Sequence, residues 1–213
     1  MLIDRFLPKY DEIEHHDIDV DAPVERTYRA VKDLDLARSP VVLALLAIRG
    51  LPTLFTGAVK PKRRLGLDEI LESGFVVLGE EPGRELVLGV VGRFWRLTSG
   101  IARIEPDRFT TFERPGFAKA AWNFLVSERA GGRSTIVTET RIVCTDADAR
   151  RKFRLYWRLV GPFSALIRRI LLRSIKGDAE ASMRAQGAKY APSARIVTGY
   201  DARPIAARES HAA

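Results

Sequence analysis

An α+β fold, with an antiparallel strand meander closed by one long C-terminal helix, is what this sequence predicts, and three observations predict it. The chain of 213 residues carries a formal charge of +8, and that charge is concentrated late: Met1 to Thr145 holds 21 Lys and Arg against 21 Asp and Glu, whereas Asp146 to Ala185 holds 10 against 4. The basic stretch has helical periodicity throughout. Before it, from Gly74 to Thr145, run strand-like segments separated by short turn signals, which antiparallel neighbours permit and parallel ones do not.

In chain order, a first strand is expected from Ile13 to Val20, then a helix beginning near Pro23 with Val24, Tyr28 and Val31 on its apolar side. A second short helix is marked by Ser39 as N-cap, Pro40 at the first position, an apolar body from Val41 to Ile48, and Gly50 and Pro52 as stops. Its body is apolar almost all round, so it is either buried on several sides or lies against something greasy. The basic loop Lys60 to Arg64 and a helical stretch from Leu67 to Glu72 follow. Strands are then expected at Phe75 to Glu80, Arg84 to Arg96, Ile101 to Glu105, Phe109 to Glu113, Phe117 to Ser127 and Thr135 to Thr145, with turns at Glu81-Pro82-Gly83 and Ala130-Gly131-Gly132.

The last helix sorts its charges by face. At about 100° per residue, Arg151, Arg154, Arg158, Arg169, Arg173 and Lys176 share one stripe, opposite Phe153, Tyr156, Trp157, Val160, Phe163, Ile167, Ile170, Leu171 and Ile175. Thr145 is the expected N-cap, with Asp148 as its capping-box partner and Asp146 at the positive end of the dipole. Gly161-Pro162 predicts a kink, not a break, because the apolar phase continues beyond it; the whole helix should run roughly nine or ten turns.

Composition narrows the class. With 46% hydrophobic residues the chain can bury a sizeable core. One cysteine, Cys144, excludes an internal disulfide and any multi-cysteine metal site. The start, MLIDRFLPKY, lacks a signal-peptide core, and the apolar run from Pro40 to Ile48 is too short for a membrane-spanning helix of about 20 residues. A soluble, cytoplasmic protein is expected, with one domain over 1–185 and a flexible tail over 186–213 rich in Ala, Ser, Gly and Pro.

The segment Ile18-Asp-Val-Asp-Ala-Pro-Val-Glu-Arg-Thr-Tyr28 and the closing strand, Thr-Asp and long helix, in this order of elements, resemble the START-like or SRPBCC superfamily, which includes birch-pollen-allergen-like and polyketide cyclase/dehydrase-like proteins. The resemblance covers residues 13 to 184. It implies a helix-grip fold, in which a curved antiparallel sheet wraps around the C-terminal helix and leaves a cavity between them.

No strong catalytic motif is present: the chain has no Walker A loop, G-x-G-x-x-G, H-E-x-x-H or G-x-S-x-G. Gly89-Val-Val-Gly92 lies within a strand, where glycines mark a bulge or bend. His15-His16-Asp17 reads as a polar strand start and not as a metal site; if Ile18 and Val20 point inward, so does His16, the one histidine to watch as a cavity acid or base. On the strand 117–127, Ala118, Ala120, Trp122, Phe124 and Val126 share a face, and Trp95, Tyr156, Trp157 and Val160 are positioned to border the same space. On the pattern alone ordinary core packing is the stronger reading, and the resemblance is what shifts it toward a pocket. Whether Trp95 or Phe94 faces inward is open, because both alternations of that strand are apolar. On the last strand Ile136, Thr138, Thr140, Ile142 and Cys144 form the apolar face, leaving Glu139 and Arg141 as solvent-side cross-strand partners or, alternatively, as a buried polar anchor in the cavity. Cys144 reads as a buried structural residue.

The basic stripe has three readings: a solvated outer face, a weak contact with an anionic membrane surface, or a nucleic-acid face, the last disfavoured for want of interleaved aromatics or a second patch. The leading functional expectation is a cavity that binds a hydrophobic small molecule, a lipid, polyketide or isoprenoid-like compound, with Pro40 to Ile48 as a lid. Trp95, Trp122, Phe124, Tyr156, Trp157 and Val160 are the expected ligand-binding residues, and no cofactor, metal or nucleic acid is expected. The alternatives are a cyclase or dehydratase working in the same cavity through His16, Glu139 or Arg141, and a membrane or partner-binding module using the basic face.

Overall fold

The computed structural model describes residues 1–35, 39, 66–96 and 100–190, with side chains through 184. The expected apolar helix over 40–48, the basic loop 60–64 and the tail from 191 onward lie outside the described residues. Strand β1 (Glu12–Val20) is followed by α1 (Val24–Lys32), then α2 (Leu67–Glu72), the strands β2 (Val76–Glu81), β3 (Glu85–Gly92), β4 (Ile101–Ala102), β5 (Ala118–Arg129) and β6 (Arg133–Cys144), and finally α3 (Ala147–Tyr190). The strands form one antiparallel sheet in the order β1-β6-β5-β3-β2, with β4 pairing β3.

Register decides which residues face the helix. Cross-strand rows run Glu14–Thr140–Trp122–Leu88–Val77 and His16–Thr138–Phe124–Leu86–Glu80, each a line of directly opposed residues on one face. On that inner face α3 makes two separate cores. Toward its C-terminal half, Leu171, Leu172, Ile175 and Ala179 pack with α1 and with Leu86, Leu88, Phe124, Val126 and Ile136. Near its start, Ala149 and Phe153 pack with Val90, Ala118, Ala120, Ile142 and Cys144. The helix therefore rests on the sheet at two places, and the small residue Ala120 lies at the edge of the second.

The outer face of the sheet is covered too, and here the structure corrects the sequence reading. Residues 1–10 lie across it: Leu2, Ile3 and Leu7 pack with Val87, Val91, Phe109, Phe117 and Ala121. Under them sits a buried polar network. The Glu85 carboxylate accepts the Leu2 N–H at 2.7 Å, the Ile3 N–H at 3.3 Å and the Asn123 amide at 2.7 Å. Arg141 pairs with Glu139 beside it, with Asp4 at 2.8 Å, and donates to the Leu7 carbonyl at 3.1 Å. Glu139 and Arg141 are thus neither solvent-side nor in the cavity; they are buried beneath the N-terminal segment.

Other expectations change in detail. No strand forms over 109–113: a short helical turn at Pro106–Arg108 precedes Phe109, which is fully buried as an anchor on the outer face. The strand expected at 101–105 is limited to Ile101–Ala102. The α3 cap is Asp146, whose carboxylate accepts the Ala149 N–H at 2.8 Å and also the Gly116 N–H. These bonds hold the Asp146 carboxyl below the usual carboxylate range. Thr145 instead exchanges hydrogen bonds with the Phe117 backbone, tying α3 to β5, and Asp148 pairs with Lys152. The helix runs unbroken through Pro162 for 44 residues, about twelve turns, and continues past residue 185 to Tyr190. Gly89 sits where an added Cβ would approach Leu78 within 2.7 Å, so its role is close strand packing. Gly83, at φ +78°, makes the β2–β3 turn that its position after Pro82 foretells.

Candidate functional site

Between the two places where α3 rests on the sheet lies a cavity of about 360 Å³. Its floor is Val90, Ala120, Trp122, Thr140 and Ile142 from the inner face of the sheet. Phe153, Tyr156, Trp157, Ser164, Ile167, Arg168 and Leu171 of α3 form its roof, and Glu69, Ile70, Ser73 and Phe75 on and after α2 close one side together with Phe94. The lining is dominated by apolar and aromatic side chains with few polar groups, the usual composition of a small-molecule site, and the volume lies in the range of about 300–1,000 Å³ typical of such sites.

The aromatics are held by one another. Trp122 meets Phe75 edge to face at 6.3 Å between ring centroids and Phe124 at 4.7 Å, while Phe153 stacks on Trp157 at 5.5 Å. Trp122 Nε1 donates to Thr138 Oγ1 at 2.7 Å, which fixes the indole orientation at the cavity wall.

One end of the cavity is polar. Arg168 projects from α3 with its guanidinium carbon 4.9 Å from the Trp122 ring centre and its Nε 3.4 Å from Glu14 Oε2. Glu14 also accepts from Ser164 Oγ at 3.0 Å and lies 3.0 Å from His16 Nε2. Thr140 stands beside this group, lining the cavity.

A curved antiparallel sheet carries a long C-terminal helix across its inner face, with a half-open cavity between the two. The architecture is a helix grip. No protein-family model and no curated protein matches the chain. Among solved structures, TTHA0849 from Thermus thermophilus is similar at 13% identity, covering 80% of this chain and 99% of that one with a TM-score of 0.33. The Zhui aromatase/cyclase from Streptomyces sp. R1128 is 16% identical, covering 83% of this chain and 98% of that one at a TM-score of 0.33. Ara h 8.0201 is 11% identical, covering 80% and 98% at 0.27. At these scores the likeness carries no correspondence of residues, and the functional reading rests on this helix grip's own cavity.

Of the residues singled out from sequence, Trp122, Tyr156 and Trp157 line the cavity. Phe124 backs Trp122 from within the neighbouring core. Trp95 packs against the core near the start of α3, and Phe94 is the member of that pair on the lining. Val160 is half-buried and not among the lining residues. His16 faces the helix side but reaches the cavity only through Glu14. It lines a separate polar recess of about 300 Å³ with His15, Asp17, Ile18, Arg169, Leu172 and Arg173. Glu139 and Arg141 are on the opposite face of the sheet. The polar lining groups that sequence reasoning missed are Thr140, Ser164, Arg168, Glu69 and Ser73. A signal existed for Arg168: it falls on the apolar side of the helix, one turn beyond Ser164, and not on the basic stripe.

Burial raises the Cys144 thiol to about 12, with the neighbouring Asp11 carboxylate adding to the effect, so at neutral pH it is a protonated, inert core residue. Among the described residues no group of three or more His, Cys, Asp or Glu side chains converges as a metal site, and no helix is long and apolar enough to cross a membrane.

Proposed function

We propose that this protein binds a hydrophobic small molecule, a lipid, polyketide or isoprenoid-like compound, in the cavity between the sheet and α3. The observation that carries the reading is the cavity itself: about 360 Å³ of space, walled by Trp122, Phe153, Trp157 and aliphatic side chains, between the two cores on which α3 rests. Binding is favoured over cyclase or dehydratase chemistry because none of the three groups that such chemistry drew on, His16, Glu139 and Arg141, lines the space. Native mass spectrometry of protein purified from its own host, followed by denaturing extraction, tests the proposal. A stoichiometric apolar passenger is expected; a clean apo mass, with no uptake of added apolar probes, would refute it.

A second reading is favoured by one specific observation. The outward side of α3 is not uniformly basic: Leu155 is 73% exposed and Leu159 72%, with Phe163 and Leu166 also exposed. Arg151, Arg154, Arg158 and Arg169 are exposed among them. Phe163, expected to face the sheet, turns out to water because it stands at the edge of the apolar arc in the stretch where the helix bridges the cavity. Exposed leucines among arginines suit a lipid interface, where each cation contributes about 1 kcal/mol next to anionic headgroups. We therefore expect the protein to sediment with phosphatidylcholine vesicles that contain phosphatidylglycerol, less so as salt rises, and Leu155→Ser with Leu159→Ser to release it. Equal sedimentation with pure phosphatidylcholine, or none with either, would remove this reading.

A further inference from the structure

We infer that the molecule bound in the cavity carries a neutral hydrogen-bond-acceptor oxygen, a ketone, ether or phenol, and that the hydroxyl of Thr140 holds it. The inference rests on the cavity being a binding site and assigns its polar end.

Thr140 is 5% exposed and lines the cavity, and among the described residues its Oγ1 has no hydrogen-bond partner. Buried hydroxyls are rarely left so, because an unmade hydrogen bond carries the full desolvation cost. The contrast with Thr138, two residues earlier on the same face of β6, is instructive. Thr138 Oγ1 accepts from Trp122 Nε1 and donates to the Asn123 carbonyl at 2.8 Å, using both of its capacities. The orphaned hydroxyl thus distinguishes position 140 from position 138: Thr140 borders the cavity and Thr138 does not.

The surroundings specify the ligand atom. Directly opposite Thr140 in the sheet stand Glu14 on one side and Trp122 on the other. Arg168 touches both, with its Nε 3.4 Å from the Glu14 carboxylate and its guanidinium carbon 4.9 Å from the Trp122 ring centre. The cation thus spans the row that has Thr140 at its middle. The Thr140 hydroxyl and the Arg168 guanidinium N–H groups in this row can all donate, so a ligand atom that brings a lone pair is favoured over one that brings an N–H. A full anion is disfavoured as well, because Glu14 already neutralises Arg168 and would stand beside any incoming carboxylate. An oxygen that accepts without carrying charge satisfies both conditions, while the rest of the molecule meets the apolar lining.

Three matched compounds decide the matter: tetralin, α-tetralone and tetralin-α-carboxylate, each titrated as a displacer of the neutral fluorophore N-phenylnaphthylamine from the wild-type protein, Thr140→Val and Thr140→Ser. Valine keeps the shape and removes the hydroxyl; serine keeps the hydroxyl. In the wild type the ketone is expected to bind more tightly than the carboxylate. Thr140→Val should weaken α-tetralone about five- to tenfold, the value of one hydrogen bond, leave tetralin unchanged or tighter, and raise Tm slightly. Thr140→Ser should restore the ketone. Equal ketone affinity in wild type and Thr140→Val would overturn the assignment, as would tighter binding of the carboxylate, in both cases with the cavity reading intact. Failure of all three compounds and the fluorophore to bind would take the cavity reading down with it.

Discussion

Replacing Ala120 with phenylalanine is expected to abolish uptake of apolar ligands while leaving the protein folded. Ala120 lies on the cavity floor between Ile142 and Val90 in register, and its inward Cβ points at Phe153 and Trp157 of the roof. Enlarging a residue in a filled core forces neighbours off their rotamers at about 1–3 kcal/mol, but here the new ring has existing space to enter. The affinity for N-phenylnaphthylamine should therefore fall by at least about tenfold, with Tm close to that of the wild type. Fluorescence titration beside a thermal melt checks both halves. An unchanged affinity would mean that the fluorophore binds elsewhere, on the exposed leucines of α3 for example, and would sink the cavity as the ligand site.

The second large effect is expected at Glu85, on the other side of the sheet. Its carboxylate is fully buried and receives three N–H donors, two of them from the backbone of the N-terminal segment. Glu85→Leu leaves the Leu2 and Ile3 N–H groups and the Asn123 amide without their acceptor. A loss of about 3–5 kcal/mol follows if the segment stays in place with its donors orphaned, and a smaller one if it lifts off into water. For a chain of this length the larger figure corresponds to a fall of roughly 10 °C in Tm. Limited proteolysis distinguishes the two, since a lifted segment is cut within its first ten residues. Glu85→Gln, which keeps one acceptor oxygen, should recover part of the stability. A variant with wild-type Tm and wild-type proteolysis would show that the segment is held by its apolar side chains and its Arg141 contacts without Glu85.

That N-terminal segment also marks where sequence reasoning stopped. Period-two alternation placed Ile136, Thr138, Thr140, Ile142 and Cys144 on one face of β6, and they are on one face; it left Glu139 and Arg141 either solvent-side or as a cavity anchor, because nothing in β6 reveals that residues 1–10 return to cover its other side. Alternation reports which residues share a face and is silent on what covers each face. The segment from Phe109 to Glu113 looked like a strand through its aromatic and Thr content, yet it only anchors Phe109, a tertiary demand that local propensity does not encode. The long helix, the turns and the order of elements were legible because they are set by local chemistry: proline and glycine positions, strand alternation and a sustained apolar arc. The site was legible in its aromatics and not in its polar end. Glu14 shares strand parity with His16, Ile18 and Val20, and Arg168 shares the apolar arc of α3 with Ile167 and Leu171, but their meeting is made by packing β1 beside β6 beneath the helix, across 154 residues of chain.

The way α3 is supported has a kinetic consequence. Its two ends are bolted to the sheet by separate cores, and the span between them is the stretch that roofs the cavity and contains Gly161 and Pro162. Proline at 162 has no N–H to give to the carbonyl of Arg158, so the span lacks a rung of its own ladder where it also lacks a floor. A beam clamped at both ends and notched in the middle flexes at the notch. Bowing of this span with both clamps shut widens the cavity, so exchange of the proposed guest is expected to be set separately from the lifetime of the fold.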